Sequence, residues 1–199
     1  MRAQFEAHAY DINLRTRTAG RLDLPSLVTP HEIVLPPDLG ASPSAVAPAM
    51  APFLVAEDDR VRVSAILVEH APVFPSFAFR FDSDDGSIVI SGDTAPCSNL
   101  VALARGADVL VHEVFDDAAT SADHDEGWEA RQRRRHLLGS HTPAGAVGGV
   151  AAAAEVGRLV LTHFVPGDDA LPDEHWLVAV GDPFTGEVIV GADGLELGL

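Results

Sequence analysis

An α/β fold is predicted from three features of this 199-residue sequence. Apolar runs of strand length alternate with segments of helical spacing. Clusters of Gly, Pro and Asp separate them. Several apolar runs end on a carboxylate or an imidazole. Strands that alternate with helices belong to layered α/β domains.

Residues 1–59 are expected to form an irregular N-terminal segment. Prolines stand at 25, 30, 36 and 37, and residues 36–52, PPDLGASPSAVAPAMAP, read as a Pro/Ala-rich loop. The periodic signal occupies 60–199. Arg60 to Val68 begins with alternation and becomes an apolar run, which predicts a strand. Phe77–Phe81 and Ser87–Ile90 are two more. Between them, Asp82-Ser83-Asp84-Asp85-Gly86 is a hairpin turn; it resembles part of a calcium loop, but the downstream ligands are wrong. Ser98 to Gly106 predicts a helix with a Ser cap and a closing Gly. Asp108–Val111 is a short buried strand. Residues 116–140 are polar and predict a surface loop or solvated helix. Thr142–Val156 is an Ala/Gly-rich helix that must pack closely against a neighbour. Arg158–Thr162 is a strand, Asp173–Val180 a helix, and Glu187–Val190 and Leu195–Leu197 are closing strands.

Composition narrows the function. Apolar residues at 47% and charged residues at 22% exclude a wholly disordered chain. The charge is 13 − 30 = −17 and every basic residue is Arg, so the average surface repels nucleic acid and anionic membranes. No apolar run approaches the ~20 residues of a spanning helix. The first residues lack the apolar core of a signal peptide, so no membrane partner is expected. The lone Cys97 excludes an internal disulfide and a Cys-based zinc finger, and makes a cytoplasmic location the default.

Four strand ends carry the chemistry: Glu69-His70, Gly92-Asp93-Thr94, His112-Glu113 and Thr162-His163. A layered sheet gathers its strand ends along one edge, where ligands bind. Two His and one Asp suit zinc or a related divalent ion.

The same segments resemble a known family. Val68-Glu69-His70 through Phe79-Arg80, then Ser91-Gly92-Asp93-Thr94 with Ala107 to Glu113, then His141-Thr142-Pro143-Ala144-Gly145-Ala146 with Leu159 to Phe164, resemble the metallo-β-lactamase-fold hydrolases of the ribonuclease Z type. That resemblance spans about residues 60–166. It implies an αββα sandwich and a metal-dependent hydrolase, in which zinc-activated water attacks a phosphodiester or another ester. It implies two zinc ions, with His70 on one, Asp93 bridging both and His163 on the other. It also implies that His141 assists proton transfer to the leaving group and that Glu113 orients that imidazole.

One family motif is absent. The His-x-His-x-Asp-His run that supplies most of the zinc ligands does not occur: no two His stand two apart, and His124-Asp125 is the nearest fragment. The chain, 60–199 above all, is therefore expected to correspond to the C-terminal portion of the sandwich, incomplete at the N-terminus, with the first metal-binding half missing. A truncated reading frame, a separate chain carrying the other half, and a catalytically inactive half-domain that docks on a partner are the alternatives. Weak zinc binding, little hydrolysis and self-association are expected of such a chain, with a homodimer or the missing half as partner.

On charge, a small-molecule ester or phosphodiester is favoured over precursor tRNA, the substrate of ribonuclease Z. The Arg131 to Arg135 cluster is the candidate RNA patch, but reads better as a solvated helix face balanced by Asp123, Asp125, Glu126 and Glu129. His8, His31, His124, His136 and His175 read as surface residues, and Cys97 as a small buried thiol. Trp128 and Trp176 read as core or surface anchors. Ser64 and Ser140 lack the Gly-x-Ser-x-Gly context of serine hydrolases.

Overall fold

The computed structural model describes residues 2–121, 127–167, 171–181 and 183–199. Two compact units form, Met1–Leu35 and Pro36–Leu199.

The first unit is more regular than its sequence suggests. It holds helices α1 (Arg2–Ala7) and α2 (Ala9–Ala19) and a 3₁₀ turn at Leu24–Leu27. Helix α2 buries no residue, so it has no apolar stripe to betray it. Local terms hold it instead. Arg15 Nε pairs with Asp11 Oδ2 at 2.8 Å, one turn apart, and Gly20 closes the helix at φ 61°.

The second unit is built on one seven-stranded sheet with strand order equal to sequence order. Its strands are β1 (Phe53–Glu57), β2 (Val61–Leu67), β3 (Phe77–Ser83), β4 (Gly86–Ile90), β5 (Val109–Phe115), β6 (Arg158–Val165) and β7 (Glu187–Val190). The first four pair antiparallel and the last four parallel. The sheet therefore starts inside the segment expected to be irregular: β1 is a short, half-exposed edge strand, too weakly patterned to stand out beside its Pro-rich approach. Ser83 pairs with Gly86 across the Asp84-Asp85 turn, so the acidic run is the expected hairpin. The expected Leu195–Leu197 strand does not form. Gly194, at φ 78°, turns the chain, and Arg158 holds the tail through the Gly198 carbonyl.

Helices fill the connections. These are α3 (Ser98–Ala104), α4 (Asp117–Ser121), α5 (Trp128–Ser140), α6 (Ala144–Ala154) and α7 (Asp173–Val180). The cap of α3 is Cys97, without a side-chain bond, so Ser98 is its first helical residue and not the expected cap. Helices α3, α6 and α7 join Ile66, Val68, Ala78, Val89, Leu110, Leu159 and Leu161 in one core on one face of the sheet. The Ala/Gly composition of α6 explains its closeness to α7: a Cβ on Gly148 would lie 2.7 Å from the Val180 carbonyl. The opposite face carries an in-register apolar row, Ala65, Phe79, Ile90, Val111, Val160 and Ile189. Phe79 is half-buried and Ile90 is 42% exposed, so this face is only partly covered. Among the described residues the unit thus has one sheet with one helical layer packed on it, two of the four layers of an αββα sandwich. None of the described helices is long and apolar enough to cross a membrane.

Candidate metal centre

The strand ends do meet at one edge of the sheet. His70 follows β2, Asp93 follows β4, Glu113 lies within β5, His141 follows α5, and His163 lies near the end of β6. Each is held by its own local device.

Gly92 sets the position of Asp93. Its φ of 59° suits Gly, and a Cβ there would lie 2.7 Å from the Phe77 carbonyl. His70 donates from Nδ1 to the Ser140 carbonyl at 2.8 Å, which leaves Nε2 with its lone pair free. His163 sits at φ 48° where the β5–β6 ladder is bulged opposite Glu113 and Val114. That left-handed conformation is costly for a side chain with a Cβ, and the bulge re-aims the imidazole out of the pleat.

Asp93 offers one oxygen to each imidazole. Its Oδ2 lies 3.9 Å from His70 Nε2 and its Oδ1 lies 3.7 Å from His163 Nε2. Two donors on one tetrahedral zinc, each about 2.0–2.1 Å from the ion, stand about 3.3 Å apart. The observed gaps exceed that by about 0.4 and 0.6 Å. Donor atoms of His70, Asp93 and His141 lie within 4.8 Å of one another, and so do those of Glu113, His141 and His163. Imidazole nitrogens and carboxylate oxygens at these spacings fit divalent ions.

Glu113 is 1% exposed and works on two neighbours. Its Oε1 accepts from Thr94 N–H at 2.8 Å and from His141 Nδ1 at 3.0 Å. This hydrogen bond, with the Glu113 and Asp93 charges, raises the His141 pKa above its ordinary value against the opposing effect of burial. Its other oxygen, Oε2, is buried with no hydrogen-bond partner among the described residues. The His141 ring stacks on His163 at 5.8 Å and 7° and meets His70 edge-on at 5.0 Å.

No family model matches the chain. Individual proteins do. A relative from Mycobacterium tuberculosis (strain CDC 1551 / Oshkosh) that carries the ribonuclease Z name is 31% identical over 192 residues, covering 96% of this chain and 75% of the relative. The chain belongs to the ribonuclease Z family. Ribonuclease Z of Mycobacterium avium (strain 104) is 35% identical over 158 residues, covering 78% of this chain and 54% of that protein. Ribonuclease Z of M. tuberculosis H37Rv shares 31% over 192 residues, 96% of this chain and 62% of its own length. The chain thus spans between about half and three quarters of these relatives. The metallo-β-lactamase fold protein YhfI of Bacillus subtilis superposes with a TM-score of 0.53 at 20% identity, covering 72% of this chain and 51% of that one. Zn(2+)-bound PqqB of Methylobacterium extorquens gives 0.50 at 17%, covering 76% and 55%. The fold is therefore the metallo-β-lactamase fold that the sequence resemblance implied.

In this ribonuclease Z family chain, two histidines read as surface residues do more. His136 is exposed, but its Nδ1 lies 3.2 Å from Ser140 Oγ and its ring 6.3 Å from that of His141. His175 bonds Asp116 through Nε2 and meets the buried Trp176 edge-on. His8 and His31 are exposed, as expected. His112 is fully buried, and burial pushes its pKa down to about 4. Within the Arg cluster, Arg134 also pairs bidentately with Asp117, at 2.8 and 2.6 Å. His124, Asp123, Asp125 and Glu126 lie outside the described residues.

Proposed function

We propose that this chain contributes to metal-dependent hydrolysis of a phosphodiester in RNA, as the name of its relatives suggests. One observation carries the reading: Asp93 presents a separate oxygen to each of two imidazoles, beside a buried carboxylate–imidazole pair. His70 and His163 would each hold one ion and Asp93 would join the two. Zinc is the ion we expect, at two per complete site. Such an ion, when bound, polarises a phosphoryl oxygen and lowers the pKa of water.

The remaining steps belong to the protein. His141 keeps its proton longer than a free imidazole because Glu113 accepts from Nδ1. That leaves Nε2 to give a proton to the departing oxygen. Glu113 holds the ring in place from the sheet, through a carboxylate that also fixes the Thr94 backbone next to Asp93. The small-molecule ester favoured on net charge yields here to RNA, because family membership is more specific than an average charge. We place the protein in the cytoplasm on its lone cysteine, which suits a reducing compartment.

A second reading rests on the partly covered sheet face. An inactive half-domain would use Phe79, Phe81 and Ile90 to seat a partner chain. Metal content by plasma mass spectrometry and hydrolysis of bis(p-nitrophenyl) phosphate, on wild type and Asp93→Ala, separate the two. Bound zinc and zinc-dependent hydrolysis, both lost in Asp93→Ala, support the hydrolase. No zinc and no hydrolysis in the wild type overturn it for this chain and favour the docking half-domain.

A further inference from the structure

We propose that one ridge of α5, Arg133 and His136, forms the track along which a single RNA strand enters the metal centre, with His136 reading a ribose hydroxyl and Arg133 a phosphate. This rests on the hydrolase reading above only for the strand's destination.

Helix α5 concentrates four of the chain's thirteen Arg, one of which, Arg134, is paired with Asp117. With its one Glu the helix sums to 4 − 1 = +3, within a chain whose total is −17. Its C-terminal end is fastened to the site. Ser140 is fully buried; its hydroxyl donates to the Ala71 carbonyl at 2.6 Å and its own carbonyl accepts from His70 at 2.8 Å. Residues three, four and seven apart share a helix face, so Arg133, His136 and Ser140 form one ridge. The ridge therefore starts at the metal centre and leads outward, about 4.5 Å along the axis from His136 to Arg133.

The hydrogen bonds set the tautomer of His136. A hydroxyl has one proton, and that of Ser140 goes to Ala71. Toward His136 the same oxygen can only accept, so Nδ1 of His136 carries the hydrogen in the 3.2 Å contact. In the neutral ring Nε2 is then an acceptor on an exposed residue next to His141. Phosphate offers no proton to such an acceptor, whereas a ribose 2′-hydroxyl does, and DNA lacks it. Arg133 is exposed and makes no ion pair or hydrogen bond among the described residues, unlike Arg134, which is committed to Asp117. A guanidinium one turn out from the hydroxyl reader suits the adjacent phosphate.

The test is fluorescence anisotropy on the full chain, with a labelled single-stranded phosphorothioate RNA of about twelve nucleotides and the matching phosphorothioate DNA. The altered linkage resists cleavage and keeps the 2′-hydroxyl. The wild type should prefer RNA. Arg133→Ala should weaken both ligands about five- to tenfold and reduce the slope of log affinity against log salt by about one. His136→Phe should weaken RNA about fivefold and leave DNA unchanged, and His136→Gln, which restores an acceptor, should recover the RNA preference. Arg60→Ala, the same charge change on an exposed residue before β2, should alter neither. Both ridge residues are exposed, so folding is checked simply by circular dichroism. No measurable RNA binding by the wild type, equal losses in Arg60→Ala and Arg133→Ala, or unchanged RNA affinity in His136→Phe would overturn the track. An inactive chain that still shows the track would sink the hydrolase reading alone. An active chain whose RNA binding ignores Arg133 and His136 would sink the track alone.

Discussion

His70 gives its Nδ1 hydrogen to the backbone carbonyl of Ser140 at 2.8 Å, across seventy residues of chain. A carbonyl can only accept, so the tautomer of His70 follows from this contact, and Nε2 is left as the donor atom for an ion. The same Ser140 returns its hydroxyl hydrogen to the Ala71 carbonyl. The end of α5 and the segment after β2 are thereby buttoned together, and the imidazole is oriented before any ion arrives.

Ser140→Ala tests that button. It removes a buried hydrogen bond, at a cost of about 1–2 kcal/mol, or roughly 3–6 °C in Tm. With the His70 loop less firmly held, zinc affinity should also fall about tenfold, in the range seen when groups that orient metal ligands are removed. Thermal melts and competition with a chelating dye read the two effects. A fall in Tm with unchanged zinc affinity would mean that Ser140 supports the fold and not the ligand.

Gly92→Ala and Gly40→Ala separate space from conformation. The two glycines have φ of 59° and 65°, but only at Gly92 would a Cβ meet an obstacle, the Phe77 carbonyl at 2.7 Å. Both substitutions carry the left-handed penalty of about 1–2 kcal/mol. Gly92→Ala should cost more than Gly40→Ala and should displace Asp93, so that bound zinc falls while Gly40→Ala retains it. Equal zinc content in the two variants would show that Asp93 does not depend on the Gly92 turn.

The Glu113–His141 pair makes a prediction about pH. The raised folded-state pKa means that its contribution to stability is complete below the unfolded value, about 6.5, and fades as pH rises through the folded value. Glu113→Gln keeps an acceptor oxygen but removes the charge. In the metal-free chain, NMR titration should find His141 protonated to a higher pH in the wild type than in Glu113→Gln. Superimposable titrations would remove Glu113 from its proposed role.

His112 works in the opposite direction. Its pKa of about 4 in the folded chain lies below the unfolded value, so the unfolded chain takes up this proton first as pH falls. Stability should decline from about pH 6.5 toward 4, by about 2 kcal/mol at pH 5. His112→Phe should flatten that part of the profile. Urea midpoints at about pH 7.5 and about pH 5 would show it, and an identical slope in the variant would exclude His112 as the source.

Much of this architecture is legible in the order of the residues. The runs that form β2 to β6 stand out because each alternates or concentrates its apolar residues within a few positions, and burial follows from that local pattern. His70, Asp93, His112 and His163 are conspicuous because each interrupts or ends such a run. Helices α1 and α2 are not, since α2 buries nothing and its stability comes from propensity and the Arg15–Asp11 pair. The edge strand β1 and the turn that replaces Leu195–Leu197 escape a local reading for a related reason: at a sheet edge the partner, not the pattern, determines pairing.

Sequence alone is sufficient for the identity of the core elements and for the polar groups at their tips, because both depend on neighbours a few residues away. Which polar groups face one another is left to the folded chain. The hold of Ser140 on His70, the separate reach of Asp93 to His70 and His163, the bulge that turns His163 outward and the ridge of His136 and Arg133 all join segments 23 or more residues apart or depend on how a helix docks. Such contacts arise from long-range packing of rigid elements, and no local periodicity encodes them.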